Sequence, residues 1–213
     1  MRRALTAWLD FLIGVISWGA WLAMAFRIFE GGAFTAAGLL SLKFFTVLSN
    51  LFNGTVCLAY CLRLMHGGPV TPRLQTWKLM STSAAALTFF TVMVFLGPVY
   101  GYGMMFVGGN FWLHLALPVL SMLSFILLER ECALPFRNTL WAAAPVGIYA
   151  VGYLTNILVQ GVGDWPDRHD FYGFLLWGWP VGVAISVGLL LAVWGIAALL
   201  WRLNKPKVHR NVQ

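Results

Sequence analysis

Apolar residues run almost unbroken through about 5–28, 44–65, 77–97, 111–128, 138–160 and 174–201, and every break between them carries charges, proline or glycine. A bilayer span takes roughly 20 mostly apolar residues at 1.5 Å rise each. The pattern therefore predicts an all-α membrane protein, a bundle of six transmembrane helices. Trp8, Trp77, Trp112, Trp141 and Trp201 fall near the span ends, where amphipathic rings sit at headgroup level. The first run has a basic start and small residues at Ala23 and Ala25, as a signal peptide would. It is longer than a signal core and continues through Phe26, so it reads as a retained span.

Polar residues inside these runs are costly and usually turn toward the bundle interior. On the second span Thr46, Asn50, Asn53, Cys57 and Cys61 recur at helical spacing, opposite an apolar side with Phe45, Leu48 and Phe52. Such a stripe serves close helix packing with interhelical hydrogen bonds, or a site. The fourth span opens with NFWLHLALPVLSMLS, which puts His114 one turn inside Asn110 and on the face of Pro118 and Ser121. An intramembrane histidine is a neutral ring bonded to a neighbouring helix, a proton carrier or a ligand contact. The fifth span ends with Tyr153, Asn156 and Gln160, and the connection after it brings Asp164, Asp167, His169 and Tyr172. The uncharged third connection, GPVYGYGMMFVGGN, is expected as a lid on the bundle mouth or as a surface hairpin. Gly178 and Gly182 form a small-xxx-small pair suited to helix contact.

Composition narrows the class. The chain is 60% hydrophobic and 10% charged, with a mean hydropathy of +0.79, which leaves room for one integral-membrane domain over 1–213 and a basic tail over 202–213. The net charge of +7 is distributed as topology rather than as a nucleic-acid surface. With the N-terminus inside, eleven of the fourteen basic residues lie on the inner side, Lys78 among them, and only Arg27, Lys43 and Arg168 lie outside. Both termini are thus expected to be cytoplasmic. Cys57, Cys61 and Cys132 make no disulfide framework and read as small packing residues. No CxxC, HExxH, P-loop or GxGxxG occurs, so neither a metal nor another cofactor is predicted. Asp10, near the inner end of the first span, is expected to snorkel or cap, leaving no buried acid–base network.

The second and fourth spans both run inward, so Thr46 and His114 each lie about 5–6 Å below the same outer surface. A threonine hydroxyl becomes nucleophilic when a base takes its proton, and histidine suits that role. The chemistry this pair predicts is acyl transfer or ester hydrolysis on a membrane lipid. Asn50 is expected to donate to an oxyanion or orient the histidine. Asn110, Asn156 and Tyr172 are further candidates for orienting substrate.

The motifs KFFTVLSN and HLALP, with the acidic-aromatic connection after the fifth span, resemble the bacterial relatives of the androgen-induced and androgen-dependent membrane protein family. Animal members are threonine hydrolases of fatty acid esters of hydroxy fatty acids with an essential intramembrane threonine and histidine. The resemblance implies Thr46 as nucleophile, His114 as its partner, and a multi-pass protein of the bacterial cytoplasmic membrane. The aromatic-proline run of the relatives is altered here to DWPDRHDFYGFLL, which changes the residues that meet substrate. The alternative is a non-catalytic bundle for lipid binding, transport accessory function or assembly. A proton-coupled transporter is less well served, because the spans lack internal repeats and midplane carboxylates.

Overall fold

The computed structural model describes residues 1–28, 38–163 and 168–204. Asp164, Trp165, Pro166 and Asp167 lie outside these residues, as do Lys205, Lys207 and Arg210 of the expected tail. No strand occurs among the described residues, and six helices are long and apolar enough to cross a membrane. They are α1 (Arg2–Ala25), α2 (Phe45–Met65), α3 (Pro72–Tyr100), α4 (Gly109–Leu127), α5 (Phe136–Gln160) and α6 (Trp179–Asn204). This is the build of a multi-pass integral membrane protein. The start of α1 and the end of α6 lie at one end of the bundle, where Arg2 meets Glu131 and Asn204 meets Glu129; this is called the terminal end and the opposite one the distal end.

Local chemistry explains where the helices begin and bend. Thr71 caps α3 by accepting from the Leu74 amide at 3.2 Å, with Pro72 in the first turn, so α3 starts five residues before the apolar run does. The sixth helix starts at Trp179, later than the apolar run from 174 suggests. Gly173 and Gly178 have φ of +71° and +85°, a left-handed backbone that stops a helix, and residues 170–178 form a folded strap instead. Two spans contain a widened π turn, Val92–Leu96 in α3 and Trp112–Ala116 in α4. Each is followed within two residues by a proline, Pro98 and Pro118. Proline cannot donate an amide and crowds the carbonyl four residues earlier, so the preceding turn opens to relieve it. His114 sits in the second of these turns.

The interior is made by close approach and cross-helix pairing. At the α1–α2 crossing a Cβ on Gly54 would stand 2.6 Å from the Ser17 Cβ, so only glycine fits there. Central α3 is lined by small residues, and Ser81, Thr82, Ser83 and Ala84 to Ala86 are all fully buried. The α2 stripe bridges helices. Asn53 donates to Ser121 Oγ of α4 at 2.6 Å and accepts from Ser81 Oγ of α3 at 3.2 Å.

The terminal half contradicts two expectations. Asp10 does not snorkel, and Lys78 is not a solvated topology charge; both are fully buried and paired with each other. Lys78 Nζ also lies 3.1 Å from Glu129 Oε1 and 2.9 Å from Cys57 Sγ, and sits 5.6 Å from the centre of the Tyr60 ring. An acid–base network is therefore present. Just past the end of α4 the chain turns Glu129 inward, where Gln75 and Asn204 donate to its backbone carbonyl. Burial, and after it the neighbouring Asp10 carboxyl, push the Glu129 carboxyl above the ordinary carboxylate range. Removing one partner of such a cluster leaves uncompensated buried charge. Lys78→Met should destabilise the protein by about 3–5 kcal/mol, read as a lower denaturation midpoint in detergent. Replacing Asp10, Lys78 and Glu129 together by apolar residues of similar size should recover most of that loss; no recovery would show that the cluster contributes more than charge balance.

Candidate active site

A cavity of about 1080 Å³ lies among α2, α3, α4, α5 and α6, reaching from the distal end past the middle of α6. That is at the upper limit of about 300–1,000 Å³ for small-molecule sites. Thr46, Asn110, His114, Tyr149, Tyr153 and Tyr172 line it together, and the rest of its wall is mostly apolar, including Leu87, Val146, Leu189 and Ile196. Thr46 and His114, expected at matching depth, thus face one shared cavity. No hydrogen bond joins the two side chains among the described residues.

Each of the pair is held by its backbone surroundings. His114 is 7% exposed, and its Nδ1 stands 2.9 Å from the Met105 carbonyl oxygen. A carbonyl only accepts, so Nδ1 carries the hydrogen and the lone pair of the neutral ring is on Nε2. Met105 comes from the uncharged third connection, which folds back onto the bundle: Tyr102 packs where a Cβ on Gly97 would be and donates to the Met93 carbonyl at 2.8 Å. Beside Thr46, Ser49 Oγ lies 3.1 Å from the Thr46 carbonyl and 3.2 Å from Thr88 Oγ1, tying α2 to α3.

Asn50 does something other than what its position suggested. Its amide nitrogen donates to the Thr46 carbonyl at 2.8 Å and to the Leu113 carbonyl at 2.9 Å. Both amide hydrogens are used, so none remains for an oxyanion. What Asn50 does is clamp the carbonyl of Thr46 to the residue preceding His114, and so it sets the register of α2 against α4 where the pair sits.

The strap at 170–178 forms the roof. Asp170 is fully buried and accepts from the Tyr153 hydroxyl and from the amides of Phe174 at 2.9 Å and Leu175 at 3.1 Å. This holds Tyr172 over the cavity, where its hydroxyl accepts from the Phe45 amide at 3.0 Å, next to Thr46. Burial pushes the Tyr172 hydroxyl up, which keeps it a neutral group with a proton to donate. Tyr149 donates to the Lys43 carbonyl at 2.6 Å. Asn156 is elsewhere: it lies 3.4 Å from His169 Nδ1, outside the cavity wall. Sequence reasoning passed over Met105 and Asp170. A backbone acceptor has no side-chain signature, and one acidic residue in an acidic connection looks like solvated charge.

The clamp is testable. Asn50→Ala should cost about 1–3 kcal/mol by leaving buried carbonyls short of donors, read from the denaturation midpoint in detergent. Asn50→Asp should cost more, because it sets a buried carboxylate against two carbonyls; an aspartate variant as stable as the parent would refute the clamp. Comparison with known family models, curated proteins and solved structures finds no match to this chain.

Proposed function

We propose that this chain is an integral-membrane hydrolase of lipid esters, with Thr46 as nucleophile and His114 as its base. The observation that carries the reading is the cavity they share, into which His114 brings a ring whose Nδ1–H is already given to Met105. In the reaction, Nε2 takes the Thr46 hydroxyl proton as Oγ1 attacks the ester carbonyl carbon. The tetrahedral intermediate expels the alcohol, which takes the proton back from Nε2. Water then hydrolyses the threonine ester with His114 again as base, releasing the fatty acid and restoring the hydroxyl. The Tyr172 hydroxyl and Asn110, both in the cavity wall, are assigned to donate to the oxyanion. The resemblance of KFFT and HLALP to the androgen-induced and androgen-dependent family supports the same roles.

A fluorophosphonate probe reads the chemistry. The parent protein should be labelled, and Thr46→Ala should not be. His114→Ala should be labelled only weakly and should turn over ester at least about 10²-fold more slowly, the usual worth of a positioned base. Normal labelling of both folded variants would overturn the assignment. One observation favours the second reading, a non-catalytic lipid-binding bundle: below Thr46 the α2 stripe is used for bridging helices rather than for facing the cavity. That reading predicts unchanged labelling in both variants.

The same proposal puts the protein in a bacterial cytoplasmic membrane with both termini cytoplasmic. Setting aside buried Lys78, ten basic residues belong to the terminal-end segments of the sequence and three to the distal-end ones, the bias that keeps the basic side inside. A reporter active only in the cytoplasm should work at either terminus and fail when inserted at Gly101. The opposite pattern would invert the topology and put the cavity in the inner leaflet.

A further inference from the structure

The cavity is not closed on all sides. Its wall includes Phe90, Val94 and Phe95 of α3 and Ala192, Gly195 and Leu199 of α6, and these residues are exposed on the flank of the bundle. A flank of a membrane-spanning bundle faces hydrocarbon, so this opening meets lipid tails rather than water. Along α6 the lining runs from Ile185 to Leu199, about 21 Å at 1.5 Å per residue, roughly two thirds of a hydrocarbon core of about 30 Å. A headgroup needs no such length; an acyl chain does.

Polarity is graded along the cleft. Its hydroxyls, amide and imidazole gather at the distal end, and the reach toward Leu199 is apolar. At the distal end Lys43 Nζ lies 5.1 Å from the centre of the Phe171 ring and 5.5 Å from that of Phe44, both of which line the cavity, and no carboxylate pairs with it among the described residues. A cation held over the roof, above a channel of acyl-chain length open to the bilayer, complements an amphiphile with a negative head.

We propose that the cleft binds one acyl chain of an anionic bilayer phospholipid, admitted sideways between α3 and α6, with the headgroup beside Lys43. Binding rests on cleft shape and on Lys43 and does not require the ester chemistry at Thr46. Because the chain leaves one hydrocarbon phase for another, burial of apolar surface contributes little, and selectivity comes from packing within the cleft. Gly195 lines the cleft and a Cβ there would meet no atom within 4 Å, so a larger side chain fits at this position without disturbing the helix.

The test uses the full-length protein in lipid nanodiscs containing phosphatidylglycerol or phosphatidylcholine with a diazirine near the end of one acyl chain. Photolabelling should concentrate on peptides covering 90–95 and 192–199 and should be stronger with phosphatidylglycerol. Gly195→Phe should lose most of it, whereas Val187→Phe, at an exposed α6 position outside the cleft, should keep it. Lys43→Gln should equalise the two lipids. Labelling spread evenly over all lipid-facing helices, or unchanged in Gly195→Phe, would overturn the proposal, as would equal labelling by both lipids in the parent. Thr46→Ala protein should label like the parent, so loss of catalysis and loss of the lipid site are separate outcomes.

Discussion

Lys78 is the group on which the terminal half of this bundle depends. In hydrocarbon a lone ammonium is prohibitively costly, so its place on the central helix α3 dictates that carboxyls be brought to it from elsewhere. Asp10 comes from α1 and Glu129 from the end of α4, and the Cys57 thiol and the Tyr60 ring of α2 complete the enclosure. Four helices are thereby fixed about one atom. Hydrophobic burial offers no such specification inside a membrane, because lipid tails solvate apolar side chains as well as the protein does.

The same rule, that polar groups in hydrocarbon must find partners, organises the structure upward from the cluster. Asn53 joins α2 to α3 and α4, and one helical turn nearer the distal end Asn50 joins α2 to α4 again. Each level makes the next more exact in position. At the distal end the pairing leaves Thr46 and His114 on the wall of one cavity, with the histidine ring oriented by a backbone carbonyl. The candidate site is thus the end of a ladder of interhelical hydrogen bonds anchored at Lys78.

The strap and the two π turns border the cavity. A regular α3 and α4 would carry side chains past one another at the usual spacing, whereas the turns before Pro98 and Pro118 rotate the adjoining helical segments. Asp170 folds the strap inward by satisfying two amides and a tyrosine hydroxyl, so an interhelical connection becomes a roof rather than a solvated loop. An apolar cleft beneath an aromatic roof, with exposed α3 and α6 residues along one flank, is the outcome.

Six helices long and apolar enough to span, the helical class and the polar stripe on α2 were legible in the order of residues alone, because hydropathy and helical period are local properties of the chain. Span ends shifted most, by five residues, where a cap or a left-handed glycine intervened, as at Thr71 and Gly178. The meeting of Asp10, Lys78 and Glu129, the use of both Asn50 amide hydrogens on carbonyls, and the support that Met105 and Asp170 give the site were settled by the packed fold. Those facts depend on how helices rotate about their axes and on where backbone carbonyls fall after chain reversal. Neither is encoded in the identity of any single residue; both come from the requirement that every buried polar group in a bilayer find a partner.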